Sequence, residues 1–240
     1  MNKSIVKNNL RKRAYSRFKT TRRQILESVG IDWYSKPAFN GIDSKLEKYL
    51  PKKGVFIEAG AHNGISESNT YYLEKIKGWK GLLVEPIEGN YKACLKNRAN
   101  SRIFNCALVS SHYDKDFITL QYGGLMSFVK DVHADKNSYE QRMNAIEKYH
   151  TDPVEIEVEA RTLTSLLDEC SFDQVDFLSL DVEGYEIEVL QGLDLSVYRP
   201  NFLLIECRDA ESKANLENFL GDVYACVEKL SSRDYLYKAI

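Results

Sequence analysis

The chain has no apolar run approaching the roughly 20 residues that a membrane-spanning helix needs. It also has no signal-peptide core, because no apolar stretch follows its basic N-terminus. Cysteine is scarce and poorly spaced. The five cysteines stand at 94, 106, 170, 207 and 226, an odd number with no C-x-x-C. That pattern speaks against a disulfide framework and against a zinc site. Reduced thiols and a cytoplasmic location are the expectation. Acidic residues are missing altogether from residues 1–23, which carry nine Lys and Arg. The rest of the chain holds 24 basic against 35 acidic side chains. So acidic a body argues against a broad nucleic-acid surface. Repeats and low-complexity segments are absent.

What is present is an ordinary globular composition, 43% hydrophobic and 28% charged over 240 residues, enough for one substantial core. Val6, Leu10, Ala14, Phe18, Ile25 and Val29 recur at near-helical spacing, which predicts an amphipathic helix over 4–29 with Gly30 as its stop. A short helix is expected near 43–50. Residues 1–50 therefore read as a basic helical arm, and residues 51–240 as the main domain. From Val55 the pattern changes to buried strands alternating with helices. Strands are expected at 55–60, 81–86, 102–109, 175–181 and 201–207, with helices around 66–77, 90–97 and after Glu186. Thr164 is a candidate cap for the helix that follows it. VYACVEKL and DYLYKAI read as a closing antiparallel pair. Such alternation predicts an α/β fold, a doubly wound, mostly parallel seven-stranded sheet of Rossmann-like type. The stretch from 110 to 174 is the least regular, with candidate strands at ITLQY and 154–160 and a candidate helix over 136–149, and residues 123–150 are expected to form a lid or substrate region.

Three features converge on a nucleotide-like site. Glu58-Ala59-Gly60-Ala61-His62-Asn63-Gly64 follows a strand. Gly60 there permits a sharp turn and close approach of a ligand, Gly64 permits tight packing of a helix start, and backbone N–H groups can meet a carboxylate. The central glycine of a dinucleotide fingerprint is replaced by His62, which disfavours a pyrophosphate ligand. Glu85 ends the second strand, where an acid can accept both hydroxyls of a ribose. Asp181-Val182-Glu183-Gly184-Tyr185-Glu186 follows the fourth strand. If the strand order is 3-2-1-4-5, Asp181 faces Gly60 across a bound cofactor at the point where strand order reverses. The competing reading of that segment is a helix N-cap with acids in its first turn.

VFIEAGAHNG, LLVEP, the Asn105–Leu108 segment and VDFLSLDVEGYEIEVLQGL together resemble the FkbM-type methyltransferases over about residues 54–208. The resemblance implies a class I methyltransferase fold, S-adenosylmethionine as donor, and methylation of a hydroxyl on a sugar or related natural product. Many members carry Lys where this chain has Ser179, so the chain resembles a divergent branch.

On that resemblance, Glu58, Gly60, His62, Asn63 and Gly64 are candidates to hold the methionine part, Glu85 the ribose, and Asn105 and Ala107 the adenine. Asp181 is the leading candidate for the base that takes the acceptor's proton, with Glu183 and His133 behind it. Asp181, Glu183 and Glu206 are also a candidate hard-oxygen set for Mg²⁺, although the same acids suit caps and substrate hydrogen bonds. Gly60→Val is expected to block cofactor binding while leaving the domain folded. The basic arm is expected to meet an anionic partner or a membrane surface. Two other readings stay open: an RNA or protein methyltransferase, and a non-catalytic binding module that keeps the fold.

Overall fold

In the computed structural model, residues 21–123, 126–129 and 154–240 are described. The strands in chain order are β1 (Val55–Ala59), β2 (Lys80–Val84), β3 (Arg102–Phe104), β4 (Ala107–Leu108), β5 (Phe117–Gly123), β6 (Met126–Val129), β7 (Val154–Arg161), β8 (Phe177–Leu180), β9 (Phe202–Glu206), β10 (Tyr224–Lys229) and β11 (Asp234–Ala239). The helices are α1 (residues 21–28), α2 (Ile42–Leu46), α3 (Tyr71–Lys75), α4 (Glu88–Asn97), α5 (Leu163–Cys170), α6 (Glu186–Gln191) and α7 (Ala210–Leu220), with a 3₁₀ turn at Phe39–Gly41.

Seven strands form one sheet in the order β10-β11-β9-β8-β1-β2-β3. β3, β2, β1, β8 and β9 run parallel, and β11 pairs antiparallel with both β9 and β10. This is the expected doubly wound sheet, with strand order reversing between β1 and β8. Successive side chains along a strand point to opposite faces, and here both faces are covered. Ile57, Leu82, Leu178, Leu203 and Ile205 bury on one face. Phe56, Leu83, Phe177, Phe202 and Leu204 bury on the other, together with Ala38, Ile42 and Leu46 from the N-terminal segment. Residues 38–46 thus pack as part of the domain core. Close strand contact requires glycine at 81, where a Cβ would sit 2.3 Å from the Phe56 carbonyl oxygen.

A second sheet, β4-β7-β5-β6, lies beside the first. Its formation corrects the expected third strand over 102–109. That run breaks at Asn105 and Cys106: β3 stays in the main sheet, while β4 pairs parallel with β7. The physical cause is the Asn105 amide, which donates to the Glu85 and Pro86 carbonyls at 2.9 Å each and turns the chain.

The helix expected over 66–77 is shortened to α3. Asn63 Oδ1 accepts the N–H groups of Ile65 and Ser66, and Ser68 Oγ accepts those of Thr70 and Tyr71. Side-chain bonds of this kind compete with helix formation, and Glu67 sits in the left-handed region at φ 62°. α5 is capped by Thr162, whose Oγ1 accepts from Ser165 N at 3.2 Å, and not by Thr164. The Thr164 hydroxyl instead donates to the Gly192 carbonyl. Of the predicted N-terminal helix, residues 21–28 are helical, and residues 1–20 lie outside the described residues. So do the expected helix over 136–149 and most of the expected lid. No helix among the described residues is long and apolar enough to cross a membrane.

Candidate active site

Beyond the C-terminal ends of β1, β2 and β8 lies a cavity of about 980 Å³. Ligands in open α/β sheets bind in the crevice at this topological switch. One wall is Glu58, Gly60, Ala61 and His62; a second is Ser66 to Asn69 with Ser179. Val84, Glu85, Cys106, Ala107 and Leu108 line the end beneath β2, and Leu120 and Val129 of the second sheet cover it. Asp181, Glu183, Glu206, Arg208, Arg233 and Asp234 line the opposite end.

Gly60 corrects the expectation made for it. It has φ +82°, and a Cβ there would lie 1.9 Å from the Asp181 carbonyl oxygen. Gly60 and Asp181 therefore touch backbone to backbone and do not face each other across a ligand, and any side chain at 60 strikes the fold itself. The glycine loop also spends its N–H groups internally. Those of Gly60 and Ala61 go to the Val84 carbonyl, that of His62 to Glu85 Oε2 at 2.7 Å, and that of Gly64 to the Ala61 carbonyl. An amide cradle for a carboxylate is thus not formed by these groups. Asn63 and Gly64 stand off the cavity. Asn63 makes the turn described above, and Gly64, at φ +76°, packs on Arg98 and Cys94 of the α4 end.

Glu58 is buried, and its carboxylate accepts from Ser68 Oγ, the Asn69 N–H, Thr70 Oγ1 and Arg98 Nη1. It braces the wall more than it offers a free charge. Glu85 is buried at the end of β2 and accepts from His62 N, Ile87 N at 3.0 Å and the Asn90 amide at 3.4 Å. Burial pushes its carboxyl up to about 7, against the lowering effect of those donors. Burial also holds the His62 imidazole below its ordinary value, with Glu67 pulling the other way. Asn105 spends its amide on the backbone turn, while Ala107 lines the cavity.

The segment after β8 is not capped by Asp181. Glu186 Oε1 accepts the N–H groups of Gly184 at 2.8 Å and Val182 at 3.3 Å, and the N-cap position of α6 is Tyr185, with no side-chain cap. The turn is tight: Glu183 has φ 62° and Gly184 φ 90°. Asp181 is exposed and opens onto the cavity. Partial desolvation by the protein around it, together with the Glu206, Glu186 and Asp234 carboxylates, holds its carboxyl above the ordinary range, with Arg208 pulling the other way.

Glu183 pairs with Arg208. Glu206 lies 4.0 Å from Arg208 Nε and 3.5 Å from Arg233 Nη1. Two of the three acids considered for Mg²⁺ are therefore paired with arginines, and no cluster of three metal-ligating side chains occurs among the described residues. His133 lies outside the described residues, and His112 is exposed.

Sequence reading missed Asn69, Arg208 and Arg233. Asn69 donates to Ser179 Oγ at 3.0 Å, and its own buried Oδ1 has no hydrogen-bond partner. The unusual Ser179 was the one available signal for that contact. An orphan acceptor, a buried ribose-ready acid at Glu85, and an apolar end formed by Val84, Cys106, Ala107 and Leu108 suit the ammonium, ribose and adenine of S-adenosylmethionine. The volume is also that of a small-molecule site.

The family description of the methyltransferase FkbM domain matches residues 58–237. No curated protein matches the sequence. Among solved structures, the chain is similar to a METTL16 methyltransferase domain at 13% identity, over 82% of this chain and 64% of that one, with TM-score 0.46. It is similar to a TehB-like SAM-dependent methyltransferase from Corynebacterium glutamicum at 10% identity, over 95% and 99%, with TM-score 0.43. A fibrillarin/Nop5p complex matches at 12% identity, over 86% and 82%, with TM-score 0.43.

Proposed function

Because the chain belongs to the FkbM methyltransferase family, and is thus a methyltransferase with S-adenosylmethionine as donor, we propose that it methylates a hydroxyl of a sugar, glycan or related natural product. The observation that carries this reading is Asp181. Its carboxylate is released from capping by Glu186, opens onto the cavity, and is raised toward neutral pH.

The donor supplies an electrophilic methyl group on a sulfonium, so the protein's part is to position, exclude water and move one proton. Glu85 holds the ribose through its carboxylate oxygens. Asn69 Oδ1 receives the ammonium, and Leu120 and Val129 roof the site against water. As the new carbon–oxygen bond forms, the acceptor hydroxyl's proton passes to a carboxylate oxygen of Asp181. A base whose proton affinity lies nearer the working pH does this more effectively than an ordinary aspartate.

The test is methyl transfer from labelled S-adenosylmethionine to a panel of free, nucleotide-linked and lipid-linked saccharides, with small amines as the contrast. Asp181→Asn keeps the side chain's shape. We expect near-normal folding, S-adenosylhomocysteine affinity within a few fold, and turnover lower by roughly 10²–10⁴-fold. Full turnover in that variant, or transfer to amines alone, would refute the reading.

We also propose that the nine cations of residues 1–23 recruit an anionic partner or membrane surface, since no acid in that stretch balances them. The two that fall among the described residues have partners of their own: Arg22 stacks on Tyr34 and Arg23 on Tyr71.

A further inference from the structure

A single guanidinium joins both walls of the Glu58 end of the cavity to helix α4. Arg98, the residue that ends α4, is wholly buried. Its Nε donates to Glu74 Oε2 at 2.7 Å. Its Nη1 reaches the Gly64 carbonyl and Ser68 Oγ at 3.1 Å each, and Glu58 Oε2 at 3.2 Å. Its Nη2 donates to Thr70 Oγ1 at 2.8 Å. Glu58 and Gly64 belong to the β1 wall. Ser68 and Thr70 bracket Asn69 in the facing wall.

Two neighbours on α4 continue the pattern. Cys94 Sγ donates to the His62 carbonyl at 3.0 Å, and the Asn97 amide to the Asn63 carbonyl at 2.7 Å. Three successive carbonyls, 62 to 64, are thereby drawn onto α4. Drawing them there leaves the His62 N–H directed at Glu85. A plain core ion pair accounts for the Glu58 and Glu74 contacts. It does not account for the bonds to the Gly64 carbonyl and to two hydroxyls on either side of Asn69. Charge is balanced locally, because Lys75 Nζ lies 3.4 Å from Glu74 Oε1.

We propose that Arg98 is a positioning residue for the cofactor: its planar fork sets the carbonyl-outward path of residues 62–64 and the placement of Asn69. This concerns the donor side alone and is independent of which acceptor is methylated.

Lysine keeps the charge but is a point donor that cannot replicate the fork. Arg98→Lys should therefore give a cooperatively melting protein whose affinity for S-adenosylhomocysteine, by calorimetry, falls tenfold or more. Amide exchange across residues 62–70 should be faster in the unliganded variant. A second pair of variants separates positioning from stability. Arg98→Met strands the buried Glu74, and adding Glu74→Gln removes that charge. The double variant should recover melting temperature relative to Arg98→Met while its affinity stays at least tenfold down. A folded Arg98→Lys that binds within threefold of wild type would overturn the proposal. So would a double variant whose affinity recovers along with its stability. If the wild-type chain itself does not bind S-adenosylhomocysteine, the donor assignment falls, and this proposal with it. If Arg98→Lys does not fold, the double variant decides.

Discussion

Between pH 6 and 8, Glu85 should move stability and cofactor affinity in opposite directions. Burial raises its carboxyl from 4.5 to about 7 in the folded chain. The folded state therefore holds that proton more tightly than the unfolded state, so stability is lost as pH rises from the unfolded value through the folded one. At about 1.36 kcal/mol per pKa unit, the whole swing is on the order of 3 kcal/mol. Roughly 1 kcal/mol of it falls between pH 6 and 8. For a chain of this size that amounts to about 2–4 °C in melting temperature.

The ionised carboxylate is the stronger acceptor for ribose hydroxyls. A group with a pKa near 7 goes from about one-tenth to about nine-tenths ionised over the same range, so S-adenosylhomocysteine affinity should rise roughly tenfold. Glu85→Gln removes this titration and should abolish the rise in affinity and lessen the fall in stability, part of which stays with Asp181 and Glu186, with affinity lower than wild type at pH 8 by on the order of tenfold or more. The assays are calorimetric titration and thermal melts at pH 6, 7 and 8 on both proteins. A Glu85→Gln variant that keeps the wild-type pH dependence of affinity would refute the reasoning.

Gly60→Ala should destabilise the fold by about 3 kcal/mol or more, from left-handed strain and collision with the Asp181 carbonyl. Gly89→Ala, with open space around it in α4, should be neutral or stabilising in the same denaturant melts. A Gly60→Ala protein of wild-type stability would show that the β1–β8 contact yields. Deleting residues 1–29 removes Glu27, which accepts from Tyr71 OH at 3.0 Å and Ser35 Oγ at 2.7 Å. That should cost about 1–3 kcal/mol, leave S-adenosylhomocysteine affinity intact, and abolish salt-sensitive binding to anionic vesicles or glycans. Unchanged association in the truncated protein would refute recruitment by the arm.

The buried strands of the main sheet were readable from the sequence because parallel strands covered on both faces need continuous apolar runs, although the run over 102–109 proved to serve two sheets. The closing β10–β11 pair was equally legible from two alternating segments around a three-residue turn. Glu85 and Asp181 could be named because acids that end buried strands at a topological switch are placed where ligands bind, although a helix cap was an equally local reading of Asp181. Tertiary structure decided what those residues touch. Whether Gly60 meets a ligand or the Asp181 backbone depends on how β1 and β8 are registered, which local pattern does not encode. Whether Asp181 caps a helix or opens on the cavity was settled by Glu186, five residues on, reaching back to take the turn's N–H groups. Whether Asn105 contacts adenine or breaks a strand depended on carbonyls about 20 positions away at Glu85 and Pro86. Arg98 left no trace in sequence at all. A buried arginine at a helix end looks like any surface arginine until the fold brings Glu58, Gly64, Ser68, Thr70 and Glu74 around it, because a guanidinium is stable away from water only where its N–H groups find acceptors and its charge a counter-charge.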